Sequence, residues 1–226
     1  MLTKIALALD IADEENISKL LSLLEPKPHI IKIGLELISA LGIQKALNLT
    51  QSLSPQSEIF LDFKLHDIPN TVTKAIKPLL QHKQIKYLTV HTLGGHKMLT
   101  EALKAVEGQI NLVGVTVLTS HSEQEIKTDL NLELNSLSQN LVKNAHLAGL
   151  NWLVSSVWEC LAIKQKYNNF KIITPGIRFS GQNKADQARI ASPTTALEQG
   201  SDIMVIGRAV CEAENPQMAW QSLLKI

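Results

Sequence analysis

A chain of 226 residues that is 45% hydrophobic and 19% charged holds enough apolar material for one extensive core, which excludes a disordered polymer. Its 22 Lys and Arg stand against 21 Asp and Glu, a net charge of +1. No bulk field therefore favours nucleic acid or an anionic membrane, and any anion must be held by a local site.

The first strand-like run, residues 4–9, begins almost at the amino terminus, with no charged and apolar leader before it. Ile17, Leu20, Leu21 and Leu24 then keep helical spacing, with Asp13 or Asn16 as the cap. Further strand-like runs lie at 30–33, 58–62, 87–90 and 112–117. Residues 120–135 read as irregular and at most partly helical, either a lid or a surface insertion. Leu137, Leu141, Ala145 and Ala148 mark a second helix that Gly149 can end. Strand-like runs follow at 152–155, 171–174 and 203–206, and residues 179–185, with Gly181 and Asn183, lack apolar periodicity. The eight runs are short and almost continuously apolar, as strands covered on both faces are.

Eight strand–helix units point to the α/β class and a (β/α)8 TIM barrel, one domain spanning residues 1–226. An open doubly wound sheet is the alternative, but no glycine-rich dinucleotide loop follows the first strand. Only Cys160 and Cys211 are present, far apart, which favours reduced, inert core thiols. No apolar run approaches the roughly 20 residues of a membrane span. A soluble, cytoplasmic protein is the expectation.

One segment concentrates charge. Asp62-Phe-Lys64-Leu-His66-Asp67-Ile-Pro-Asn-Thr71 follows the apolar run Ile59–Leu61 and places an amine between two carboxylates. On an extended strand Asp62 and Lys64 point to the same side, and neither belongs in ordinary sheet core, where an unpaired ion costs several kcal/mol or more. Pro69 fits the first position of a following helix.

Other polar residues fall where a barrel gathers its function, at the carboxyl ends of strands: Asp10, Lys32, His91, Thr119, Ser120, Arg178, Gly207 and Arg208. Asp10 taken alone reads equally well as a helix cap. Thr174-Pro-Gly-Ile-Arg178 and Gly207-Arg208 together suggest a phosphate site after strands seven and eight. The seven histidines show no metal-binding spacing, and His66 and His91 read as supporting hydrogen-bond groups more than as catalysts. Trp152, Trp158 and Trp220 read as core residues.

These blocks closely resemble the orotidine 5′-phosphate decarboxylase family. The resemblance runs through Ala8-Leu-Asp10, Lys32-Ile-Gly34, Asp62-x-Lys64-x-x-Asp67-Ile-Pro-Asn-Thr71, Thr89-Val-His91 with Gly94-Gly95, Val117-Leu-Thr119-Ser120, Thr174-Pro-Gly-Ile-Arg178, Asp186-Gln187 and Val205-Ile-Gly207-Arg208. It implies a cofactor-free enzyme that converts orotidine 5′-phosphate to UMP and carbon dioxide, the last step of de novo UMP synthesis. It also implies a homodimer with both sites at the interface. Lys32, Asp62, Lys64 and Asp67 would form the charged array, with Asp67 and Thr71 crossing to the partner's site. Lys64 would protonate C6, Asp10 and Lys32 would contact ribose, and Thr119 and Ser120 would border the pyrimidine nucleotide. Gln187, Arg178, Gly207 and Arg208 would hold the phosphate. Phe179 and Ala209 depart from residues common in relatives, both beside the phosphate site.

Magnesium-dependent relatives acting on sugar phosphates, keto-gulonate phosphate decarboxylase and hexulose phosphate synthase, share the Asp-x-Lys-x-x-Asp array. Their exit from it differs from Ile68-Pro-Asn-Thr71. A noncatalytic phosphate-binding barrel would lack Lys64 or one of its carboxylates, and all are present.

Overall fold

In the computed structural model, which describes residues 4–179 and 189–226, each run expected to be a strand is one. The strands are β1 (Lys4–Leu9), β2 (Ile30–Gly34), β3 (Glu58–Leu65), β4 (Ile85–His91), β5 (Asn111–Val115), β6 (Trp152–Val154), β7 (Lys171–Thr174) and β8 (Ile203–Ile206). Each pairs in parallel with its neighbour in sequence, and β8 returns to β1 to close the barrel.

The near-continuous apolar runs arise because both faces of each strand are dry. Ala6 and Ala8 turn inward with Ile30, Phe60, Tyr87, Val113, Ile173, Ile203 and Val205. Leu7, Leu9, Ile31, Ile33, Leu61 and Leu88 turn outward beneath the helices. Inside, Tyr87 meets Phe60 and Trp152 edge-on, with centroids 5.9 and 5.1 Å away.

The first helix, Glu14–Leu23, is capped by Asp13, whose carboxylate accepts the Asn16 N–H at 2.8 Å; Asn16 itself is not the cap. The helix Leu134–Leu147 ends at Ala148 and Gly149, the latter at φ +86°, a left-handed conformation that glycine takes without a Cβ clash.

Four expectations change in detail. Strand β3 runs three residues beyond Asp62, to Leu65, and β5 stops at Val115, two residues short of Val117. Residues 120–135 contain a regular helix, Glu123–Leu130, begun by a capping box in which Ser122 and Glu125 satisfy each other's backbone N–H. Its Ile126 packs with Val117, Leu134, Leu137 and Leu141 in a separate apolar cluster. Trp158 is 56% exposed, because Val157 and Cys160 occupy the inward side of the turn after β6. Trp220 is buried and donates to the Pro26 carbonyl at 2.7 Å. No described helix is long and apolar enough to cross a membrane.

Candidate active site

The carboxyl ends of the strands open into a cavity of about 390 Å³. Asp10 from the end of β1, Lys32 from β2, and Asp62 and Lys64 from β3 line one part of its wall. Thr119, Ser120, Arg178, Gly207 and Arg208 line other parts. Nine of the twelve residues expected to act together therefore share one cavity.

The charges alternate along the wall. Lys32 Nζ lies 2.9 Å from Asp10 Oδ1 and 3.6 Å from Asp62 Oδ2, and Lys64 Nζ lies 2.9 Å from Asp62 Oδ1. Burial lowers the pKa of Lys32, but Asp62 and Asp10 outweigh it and hold the ammonium above its ordinary value. Burial also raises the pKa of Asp62, and Lys32, Lys64 and the hydroxyl of Thr89 outweigh that and hold the carboxyl below its ordinary value. A Cβ added at Gly34 would come within 3.2 Å of both Asp10 Oδ1 and Lys32 Nζ, so the absent side chain leaves room for that ion pair.

Regular alternation does not place Lys64. Its φ is +50°, in the left-handed region that non-glycine residues rarely enter, and the β3–β4 register shifts between Leu61 and Leu65. The strand bulges there, and a bulge re-aims a side chain. The Lys64 N–H donates to Thr89 Oγ1 at 2.8 Å, and the same hydroxyl donates to Asp62 Oδ1 at 3.1 Å. Thr89 is fully buried on β4 and links the backbone of the amine to its carboxylate partner. Sequence reasoning gave it no role. The available signal was a hydroxyl within an apolar strand, since buried polar groups need partners.

Asp67 and Thr71 behave differently. Both are exposed and neither lines the cavity of its own chain. Asp67 Oδ1 accepts the N–H of Ile68 at 2.6 Å, a tight local turn before the helix Pro69–Ile76. Gln187 lies outside the described residues, as do Asp186, Gly181 and Asn183.

Across the barrel, Arg178 is 9% exposed and donates from Nη1 to the Ile177 carbonyl at 2.8 Å. Gly207 precedes the short helix Arg208–Cys211, and a Cβ there would stand 3.3 Å from that of Ala8. Of the two departures from the family pattern, Phe179 packs partly buried on the outer core and Ala209 is buried within it.

His91 stacks on His66 with centroids 5.7 Å apart, and its Nδ1 accepts the Leu93 N–H at 3.3 Å. Burial first, then His66, Lys64 and His121, push its pKa down to about 4, so it is a neutral hydrogen-bond group near pH 7. Burial and neighbouring carboxylates push the thiols of Cys160 and Cys211 up to about 12, in keeping with inert cysteines. No group of three or more His, Cys, Asp or Glu suited to a metal ion occurs among the described residues.

A family model described as Orotidine 5′-phosphate decarboxylase / HUMPS family matches residues 3–223. Orotidine 5′-phosphate decarboxylase of Malacoplasma penetrans is 40% identical over 219 residues, covering 94% of this chain and 93% of that protein. Its counterpart in Legionella pneumophila (strain Corby) is 37% identical over 231 residues, covering 100% and 99%. The crystal structure of orotidine 5′-phosphate decarboxylase from Lactobacillus acidophilus superposes with a TM-score of 0.81 at 32% identity, covering 99% of this chain and 98% of that one. Likeness of this extent, in sequence and in fold alike, means that the chain belongs to the orotidine 5′-phosphate decarboxylase / HUMPS family and is an enzyme of its decarboxylase branch.

Proposed function

We propose that this chain decarboxylates orotidine 5′-phosphate to UMP in pyrimidine biosynthesis, without metal or organic cofactor, and that Lys64 supplies the proton. The observation that carries the reading is the alternating array Asp10–Lys32–Asp62–Lys64 in a cavity that also holds Arg178 and Arg208.

Breaking the bond from C6 to the carboxylate leaves an electron pair in the plane of the pyrimidine, where the ring delocalises it poorly. An ammonium fixed beside that atom stabilises the developing charge without reorganising. The Nζ–H bond of Lys64 then breaks as the C6–H bond forms, and the neutral amine regains a proton from water. Asp62 holds Lys64 from one side, and Lys32 holds Asp62 from the other. Asp10 and Lys32 meet the ribose, while Thr119 and Ser120 border the nucleotide, with Ser120 facing the pyrimidine. Arg178, Gly207 and Arg208 take the phosphate, as does Gln187. Phosphate binding far from C6 supplies energy that holds the reacting geometry.

The site is shared between two copies in this reading. Asp67 and Thr71 face solvent in the single chain, and Ile68 and Leu93, on the same rim, are 64% and 52% exposed. A homodimer that covers this rim brings Asp67 and Thr71 to the partner's substrate. The enzyme is read as cytoplasmic, with no nucleic-acid or membrane partner, consistent with a net charge of +1.

Chelator-treated protein mixed with orotidine 5′-phosphate is expected to deplete the substrate's ultraviolet absorbance, whereas Lys64→Ala lowers kcat by roughly 10³-fold or more and still binds UMP. No turnover, or turnover that returns only when magnesium is restored, would overturn the cofactor-free decarboxylase reading.

A further inference from the structure

An ion pair outside the charged array ties three strand ends together. Arg189 and Glu159 meet through Nη1 and Oε1, with side chains only 14% and 15% exposed. A largely buried ion pair calls for a reason, because well-packed apolar residues of similar size often stabilise such a position at least as well.

Arg189 is anchored at the end of β7. Two residues on, Ala191 bridges Ile177, its N–H donates to the Gly176 carbonyl at 3.2 Å and its carbonyl accepts from Arg178 N–H at 3.0 Å. From there Arg189 reaches three consecutive carbonyls after β5. Nη2 donates to Val117 O at 3.1 Å and Leu118 O at 3.3 Å, and the backbone N–H donates to Thr119 O at 3.3 Å. Glu159 closes the third side. Its second carboxylate oxygen accepts from Ser155 Oγ at the end of β6, and Ser155 lines the cavity. Val117, Leu118, Thr119 and Ser120 line it as well.

We infer that Arg189 and Glu159 are positioning residues for the pyrimidine, fixing the backbone of residues 117–119 so that Ser120, next in the chain, faces the base. The inference rests on the decarboxylase reading, which places the base against Ser120. A planar guanidinium suits the task because its fork gives fixed directions to the carboxylate and the carbonyls at once. Glu159 holds the fork in one orientation.

The test compares inhibitors with and without a base. In an Arg189→Met/Glu159→Met double variant no charge is left buried and unpaired, which protects the fold. The inhibition constant of UMP is expected to rise at least about tenfold, with kcat/KM for orotidine 5′-phosphate falling alongside, since lost charged hydrogen bonds weaken only what they orient. That of ribose 5-phosphate, which has no pyrimidine, stays within about twofold of wild type. Arg189→Lys and Glu159→Gln, which alter the fork least, give smaller changes in the same direction and carry the comparison if the double variant does not fold. Equal weakening of both inhibitors would mean that the pair supports the barrel at large, and unchanged UMP binding would mean that it orients nothing; either result overturns the inference. A wild-type protein that fails to turn over orotidine 5′-phosphate strikes the decarboxylase reading itself, whereas normal wild-type turnover with unaltered variant ratios strikes only the role of the pair.

Discussion

Thr89 has one hydroxyl and uses it twice, accepting the Lys64 N–H and donating to Asp62. The first bond holds the lysine backbone in a left-handed conformation, which costs on the order of 1–3 kcal/mol for a non-glycine residue unless the surroundings impose it. The second leaves Asp62 pointed at the ammonium. Thr89→Val keeps the shape and removes both bonds, leaving a buried donor without a partner at a cost of about 1–3 kcal/mol. Activity is expected to fall roughly 10- to 100-fold in kcat, since about 1.4 kcal/mol is tenfold in rate. Thr89→Ser is expected to restore most of it, and unfolding by heat stays cooperative in both variants. Unchanged kcat in the valine variant would show that Lys64 is aimed by something else. Residue types announced the charged partners of this site, since Asp and Lys at the ends of apolar strands are costly to bury unless they pair. They did not announce Thr89, because threonine is common in strands and its hydroxyl acquires meaning only when β4 lies beside the bulge.

At the scale of elements, the proposed shared site divides one short stretch, β3 and its exit, between two tasks. Asp62 and Lys64 line the chain's own cavity, while Asp67 sits on an exposed turn with its carboxylate folded onto the Ile68 N–H. The division gives a complementation prediction. If Asp67 crosses to the partner's site as proposed, Lys64→Ala and Asp67→Ala homodimers are each expected to be inactive, and subunit exchange to create one site that has both residues. Mixed protein is then expected to recover up to about a quarter of wild-type activity, half of the dimers being mixed with one sound site of two. Exchange followed by native mass spectrometry, with activity still at background, would place Asp67 in its own subunit's site. The helix Glu123–Leu130 was legible in principle through Ser122 and Glu125, a spacing that marks a helix start. Its apolar content hid it: Ile126 is the helix's one buried residue, so no amphipathic stripe accompanies the cap.

For the whole molecule, the barrel was readable because closure buries both faces of every strand, and runs such as Ile30–Ile33 and Ile203–Ile206 record that burial directly in the sequence. What the sequence could not convey was proximity between strand ends, as in the reach of Arg189 from beyond β7 to the carbonyls after β5. The same closure sets how stability depends on pH, because it dehydrates the groups at the barrel mouth. His91 titrates near 6.5 when unfolded and is pushed down to about 4 in the fold, so between those values the unfolded chain holds more protons and stability falls as the solution is acidified. Asp62, held below its ordinary 3.8, contributes stability that is present above that value and lost as pH falls through the folded one. Lys32, held above 10.5, contributes stability present below 10.5 and lost as pH rises through its higher folded value. These three groups leave a plateau from about pH 6.5 to 10.5, with an acid shoulder belonging to His91. Urea midpoints measured from pH 7 down to 4.5 are expected to decline in the wild type and to decline less in His91→Asn, whose side-chain oxygen can still accept the Leu93 N–H. A slope unchanged by that substitution would assign the acid shoulder to other groups and show that closing the barrel does not hold His91 neutral.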